Sequence, residues 1–361
     1  MHNMYEVNQM RDLYGRIYEN IRKIDFDAIW KGFHPYQFAL YDKVSVYFKD
    51  KTISYEPCFI GNTSIKYDKE QIAIWCVEDV KDADPVMMAS NMIHEMFHAY
   101  QFENDESRYP ADLYALDYPD ILENYILKHS ESIVLSEAYR QKKKKDKLKC
   151  ISQFIASRIE REKNIGSYMR CEYLAETLEG MAEYAGLCAL LQLDKDLYEK
   201  RISEYIRIIS DPGNTLFDTR RMAYFTGAIL YTVLDEAKIS VYHEIKGAIK
   251  TPFEILKEKI PPTDLPVTVS ADDVKASYKG FLLERSKKFD DFFSKKRKSH
   301  EGDFQICGYD PMNMIKENGR ILCKYFIMLK QKTEGDPLFI NGPVVVDIKK
   351  GTSDKVSAYY T

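Results

Sequence analysis

The stretch that most constrains this chain is His94-Glu95-Met96-Phe97-His98, together with the residues leading into it. Asp84-Pro85 stands ahead of it. Asp is a good N-cap and Pro suits the first helical position. No further Gly or Pro intervenes before Gln101, so the spacing predicts a helix through Met87, Asn91, His94 and His98. Positions i and i+4 of a helix lie one above the other on the same face. Two imidazoles so placed can both reach one zinc ion. Glu95, one step around, can hold the water on the metal and take its proton. That is the physical content of the H-E-x-x-H pattern. The plainer reading is a pair of histidines hydrogen-bonded within the core of a half-buried helix. The five residues alone leave a third protein ligand to be found.

The chain has 361 residues, enough for two domains or one large domain with an appendage. Its hydrophobic share of 45% and charged share of 30% fit a soluble globular protein with a substantial core. A net charge of −4 implies neither a nucleic-acid nor a membrane partner. No apolar run approaches the length of a transmembrane helix, and the polar start of the chain is unlike a signal peptide. The seven cysteines, Cys58, Cys76, Cys150, Cys171, Cys188, Cys307 and Cys323, are scattered, with no C-x-x-C pair. They read as reduced, mostly core thiols of a cytoplasmic protein.

Along the chain, Met10, Leu13, Tyr14, Ile17, Ile21 and Ile24 form an apolar stripe at helical spacing. A short helix over Asp27–Lys31 comes next. Val44–Phe48, Ile53–Tyr55, Thr63–Tyr67 and Ile72–Val77 then read as strands of a small, mostly antiparallel sheet. Cys76, on the last of them, is a conceivable metal ligand, though a buried strand cysteine is the commoner case. From residue 85 to about 260 the pattern is helical, with helices expected over 120–141, 151–163, 168–193, 195–210 and 220–236. The basic run Lys142–Lys147 reads as a solvated helix end or loop, and Asp211-Pro212-Gly213-Asn214 as a turn. A last helix covers 271–293. After a basic, exposed linker at 294–302, five strands are expected: Phe304–Tyr309, Arg320–Leu329, Leu338–Ile340, Pro343–Ile348 and Val356–Tyr360. Asn318-Gly319 and Asn341-Gly342 carry tight-turn chemistry. The expected division is an N-terminal helix and sheet over 1–84, a helical body over 85–293 and a small β module over 303–361.

Within the 168–193 helix stands Leu178-Glu179-Gly180-Met181-Ala182-Glu183-Tyr184. Here the chain resembles the gluzincins, the thermolysin-like zinc peptidases, and in particular their aminopeptidase branch. The third zinc ligand of that branch sits in a Glu-Gly-hydrophobic-Ala-x-Tyr stretch on a helix after the H-E-x-x-H helix. The resemblance puts Glu179 on that ligand position and Glu183 on the acidic residue that orients a zinc histidine. Gly180, without a Cβ, would let this helix approach the H-E-x-x-H helix closely. Tyr224-Phe225-Thr226-Gly227-Ala228 looks like the family's Tyr-x-Lys-Gly-Ala stretch, whose tyrosine stabilises the oxyanion of the tetrahedral intermediate. The three motifs come in the family's order.

The departures are specific. Far more residues separate His98 from Glu179 than in those aminopeptidases, which an inserted pair of helices at roughly 110–165 would explain. Thr226 stands where the family has Lys. The Gly-x-Met-Glu-Asn loop that holds a substrate's free amino group is not evident in 58–80, so action on N-termini is not supported. Glu176 is a rival ligand one turn before Glu179, and Tyr224 is one of 27 tyrosines. Arg220 and Arg221 could extend toward substrate, but adjacent arginines at a helix start are more often solvated. His129, His243 and His300 have no partner pattern. The resemblance covers about residues 85–236 and implies an α+β, zincin-like fold. It further implies a Zn2+ centre of His94, His98 and Glu179, with Glu95 and Tyr224 catalytic and a peptide or protein as substrate. The rival expectations are a non-catalytic binding protein that keeps this fold, and a purely structural helical protein.

Overall fold

The computed structural model describes residues 4–78, 83–241, 245–266, 271–331 and 335–361. Helix α1 (Met4–Ile21) presents the predicted stripe: Met10, Tyr14, Ile17 and Ile21 are buried, and Ile24 joins them in the same core. After the single turn α2 (Phe26–Ile29) comes a five-stranded sheet. Its strands are β1 (Gln37–Tyr41), β2 (Ser45–Phe48), β3 (Lys51–Ser54), β4 (Thr63–Tyr67) and β5 (Glu70–Cys76), in the order β3-β2-β1-β5-β4. All pairs are antiparallel except β1 with β5, where Leu40 pairs with Trp75. The sequence pattern missed the central strand β1. Phe38 and Leu40 pack into the core shared with α1, while Ala39 and Tyr41 pack into a smaller core with Phe59 on the other face. A strand buried on both faces has no alternation to reveal it.

Helix α3 (Pro85–Glu103) begins as predicted. Asp84 is its N-cap, accepting from Val86 N at 2.8 Å, and Pro85 takes the first position. Met88, Met92, Met96 and Phe97 pack it into one core with α1, the sheet and the later helix carrying Met181, Ala182 and Ala185. The single turn α4 (Asp112–Ala115) leads to the antiparallel hairpin of α5 (Leu122–Arg140) and α6 (Lys144–Ile165), in the stretch where a pair of helices is expected. The basic run lies at their junction. It is only partly solvated, because Lys147 is buried with Nζ on Ala138 O (3.0 Å) and Glu236 (2.6 Å).

One continuous helical stretch then runs from α7 (Met169–Ala175) through a π-helical turn (Glu176–Gly180) into α8 (Met181–Leu193). Helices α9 (Lys195–Ser210) and α10 (Thr219–Glu236) pack on it, and α11 (Pro252–Lys259) closes the body. The main core joins α5, α6, α9 and α10 through residues such as Leu135, Phe154, Ile209 and Val233. Helix α12 (Ala271–Phe293) bridges two cores: Val274 enters the helical core, and Phe289 and Phe292 pack on Val345 of the last sheet.

That sheet has seven antiparallel strands in the order β10-β9-β6-β12-β11-β8-β7. They are β6 (Ser299–Tyr309), β7 (Met314–Glu317), β8 (Arg320–Cys323), β9 (Phe326–Gln331), β10 (Leu338–Asn341), β11 (Val344–Ile348) and β12 (Lys355–Tyr360). Asn318 and Gly319, both at positive φ, form the two-residue turn between β7 and β8. Asn341-Gly342 makes no hairpin, since β10 and β11 are not neighbours. Gly342 instead passes so close to Lys324 O that a Cβ there would lie 2.6 Å away. The expected linker is shorter than predicted because β6 already starts at Ser299, with His300 stacked on Tyr359 of β12. The expected strand over 320–329 is split into β8 and β9. None of the helices among the described residues is long and apolar enough to cross a membrane, and all seven cysteines are free thiols.

Candidate metal centre

His94 and His98 leave α3 on the face that meets the π-helical turn and α8. Each ring is fixed by its Nδ1. His94 Nδ1 donates to Glu183 Oε2 at 2.8 Å, and His98 Nδ1 donates to Gln101 Oε1 at 2.8 Å. The orientation of the Gln101 amide is set by its other end, where Nε2 donates to Leu178 O at 3.1 Å. With Nδ1 committed as the donor, each imidazole in its neutral form offers Nε2 as an acceptor. The two Nε2 atoms face each other at 3.0 Å. Glu179 Oε2 completes a triangle, 3.3 Å from His98 Nε2 and 3.7 Å from His94 Nε2. These are electrostatic contacts rather than hydrogen bonds, for this buried oxygen has no hydrogen-bond partner.

Two imidazole Nε2 atoms and a carboxylate oxygen therefore converge in one buried place, an arrangement that suits a proton or a metal ion between them. A tetrahedral zinc with bonds of about 2.0–2.1 Å would separate its ligand atoms by roughly 3.3 Å, close to the three distances observed. The residues present fit the ion. Glu95 also stands within reach, its carboxylate lying within 4.8 Å of both imidazoles. Glu179 offers a second carboxylate, its Oε2 at 3.3 and 3.7 Å from the two Nε2 atoms.

Glu176, the rival, points elsewhere. Arg158 grips both its oxygens, at 2.6 and 2.5 Å, and Thr226 Oγ1 donates to Oε1 at 2.8 Å. This belongs to a buried ion cluster in which Arg158 and Arg161 share Glu131, and Arg161 and Lys128 meet Glu172. Thr226 is thus part of that cluster. Cys76 ends β5 outside the converging group. His129 is buried with Nε2 against Ser210 O at 3.1 Å. His243 lies outside the described residues.

The π turn decides which glutamate faces the histidines. A single π turn inserts an extra residue into a helix and re-aims the side chains beyond it. Glu176 is turned toward α6 and Glu179 toward α3. The stretch can pass that close to α10 because Gly180 meets Gly227: a Cβ on Gly180 would lie 2.7 Å from Gly227 Cα. Gly186 makes a similar contact with α3, where an added Cβ would lie 3.0 Å from Ser90 O.

Tyr224 of α10 stacks on His94, ring centroids 5.5 Å apart and planes 6° from parallel. Burial, and then the Glu179 charge, push its hydroxyl pKa well above the usual range, so it stays a proton donor. Burial likewise pushes the Glu95 carboxyl up, with His94 and His98 pulling it back. For Glu179 and Glu183 burial loses the contest. His98, His94 and Arg220 hold Glu179 well below the usual carboxylate range, and His94, Arg201 and Tyr205 hold Glu183 down at about 2.

Several contributors were not legible in the motifs. Gln101 orients His98. Tyr205 of α9 donates to Glu183 Oε1, and Arg201 contacts Tyr205, Ser90 (2.9 Å) and Asn91 (2.6 Å), fastening α9 to the start of α3. Arg220 is not solvated. Its Nη2 donates to Glu179 Oε1 at 2.5 Å and its Nη1 to Asp112 Oδ1 at 2.5 Å. Arg221 is the solvated one, paired with Asp218 at 3.3 Å. The i,i+3 spacing of His98 and Gln101 was the available signal. The others act across separate helices, and no local spacing announces them.

A cleft of about 350 Å³ opens onto His98 and Glu179. Thr63, Ser64 and Lys66 of the edge strand β4 form one wall, Phe102 and Tyr109 another, with Arg220 beside Glu179. Comparison with protein-family models, with curated proteins and with solved structures gives no match for this chain.

Proposed function

We propose that this chain is a zinc-dependent peptide-bond hydrolase of zincin type, with His94, His98 and Glu179 holding the metal. The observation that carries the reading is the convergence of two imidazole Nε2 atoms and an unpaired, buried carboxylate oxygen, with Glu95 immediately beside them. Zinc bound there would supply Lewis acidity, making a water nucleophilic near neutral pH and polarising the scissile carbonyl. Two His and one Glu leave a fourth position open, the arrangement of catalytic rather than structural sites.

The chain's own groups account for the rest. Glu95 takes the proton of the attacking water and delivers it to the departing amine. Its buried carboxyl, already pushed toward higher pKa, suits a group that must both accept and return a proton. Tyr224, held protonated, donates to the carbonyl oxygen as charge develops on it. The outer edge of β4 gives an extended peptide backbone a line of hydrogen-bonding groups along the cleft.

The test is a peptide-library digest by zinc-loaded wild type and by Glu95→Gln. The amide cannot accept a proton, so the variant keeps zinc and fold and loses cleavage. Equal cleavage by both removes Glu95 as the base. Cleavage by neither, with zinc bound, favours a binding protein that keeps the centre.

A further inference from the structure

We propose that the C-terminal sheet sets the metal affinity of this centre through a relay from Leu113 and Leu116 to Asp112, Arg220 and Glu179. The inference rests on the zinc reading above and adds a positioning role that none of the motifs carries. Glu179 can offer Oε2 to a metal only while its other oxygen is held, and Arg220 Nη2 is what holds Oε1. Arg220 is in turn fixed by Asp112, which takes its Nη1. The guanidinium thus spends one terminal nitrogen on each of two carboxylates, a planar fork that fixes both.

Asp112 opens α4, a turn of four residues with no side-chain cap and no buried residue of its own. A turn that short does not persist by itself. Leu113 within it and Leu116 just after it pack against the core of the C-terminal sheet, the cluster of Phe304, Ile321, Ile327 and Val346. Lys316 of β7 pairs with Asp117 at 2.6 Å just beyond it. Tyr309, at the end of β6, lies near enough for the charges of Asp112 and Arg220 to act on its hydroxyl. The sheet therefore seats the turn, and the turn seats the arginine.

Charge points the same way as geometry. Arg220 is a cation beside a place built for a dication, and Asp112 neutralises it. Without Asp112 the arginine is free to swing and its positive charge opposes the metal. Partners of metal ligands that orient them are worth about 10–100-fold in affinity.

The experiment measures zinc affinity by competition with a chromophoric chelator, and the visible spectrum of the cobalt(II)-substituted protein. Its subjects are full-length wild type, Asp112→Asn, the pair Leu113→Ala/Leu116→Ala, and Arg320→Ala. The last breaks the Arg320–Asp347 pair elsewhere in the sheet. The relay predicts zinc binding about 10–100-fold weaker, with shifted cobalt bands, in the first two variants. Arg320→Ala should stay within about twofold of wild type. The leucine pair carries the test alone if Asp112→Asn does not fold. Unchanged affinity and unchanged cobalt bands in folded variants overturn the relay and leave the zinc reading standing. So does an equal loss in Arg320→Ala, which would mark a general effect of disturbing the sheet. A wild-type protein that binds no zinc removes both, and is told apart because the unaltered chain is then the one that fails.

Discussion

Gly180 and Gly227 touch backbone to backbone, so that a Cβ on Gly227 would sit 2.6 Å from Gly180 Cα. This contact brings the Tyr224 helix against the Glu179 helix. Gly227→Ala should therefore destabilise the fold by about 1–3 kcal/mol, since backbone rather than a flexible side chain must give way. Urea unfolding measures it. A midpoint unchanged from wild type would mean that the helices can part freely.

Glu179→Gln and Glu176→Gln should fail in different ways. The first removes a proposed ligand charge and should abolish stoichiometric zinc binding while the helical content holds. The second leaves the Arg158 guanidinium buried without its main partner, and should cost about 3–5 kcal/mol of stability. Metal content and thermal melting, taken together on each variant, separate the two. Zinc loss in Glu176→Gln with an intact melt would reverse the ligand assignment.

Zinc binding should release a proton. Burial works against a charged His94, but the adjoining carboxylates of Glu179 and Glu183 outweigh it and push the imidazole up to about 10. In the metal-free protein a proton then holds the place between the acceptors. The folded pKa is raised, so this proton's contribution to metal-free stability is complete below the ordinary histidine value and is lost as pH rises through about 10. Zinc affinity should therefore rise about tenfold per pH unit around neutrality. Zinc titration in weakly buffered solution reads the proton directly, and a pH-independent affinity would contradict the assignment.

Tyr224→Phe removes a donor while leaving the ring on His94. If the hydroxyl acts on the developing oxyanion, kcat should fall by the equivalent of about 2–3 kcal/mol with little change in KM. A rise in KM with kcat unchanged would assign Tyr224 to substrate binding instead.

Acid should weaken the fold through Glu172. Burial opposes its ionisation, but Arg161 and Lys128 hold its pKa down at about 2. A folded pKa below the unfolded one gives stability that is complete above the unfolded value and drains away as pH falls toward about 2. Glu172→Gln should flatten that part of the stability–pH curve and cost about 3–5 kcal/mol near neutral pH. Unfolding measured at several acidic pH values gives the slope.

The local features were legible because local physics makes them. The Asp84 cap, the Pro85 start and the i,i+4 spacing of His94 and His98 are set by the chain within one or two turns. The amphipathic stripe of α1 and the Asn318-Gly319 turn are read the same way. Gly180 is an exception: expected against the H-E-x-x-H helix, it meets Gly227 of α10, and Gly186 makes the close contact with α3.

The tertiary structure decided what depends on partners distant in sequence. Strand β1 gave no signal, because burial on both faces erases the period that marks a strand. Whether Glu176 or Glu179 faces the histidines turns on a π-helical turn and on Arg158 waiting in α6. Arg220 and Arg221 are neighbours of the same chemistry, yet one clamps Glu179 and the other meets solvent. A helix turns by about 100° per residue, and only the packed neighbours determine which direction leads inward.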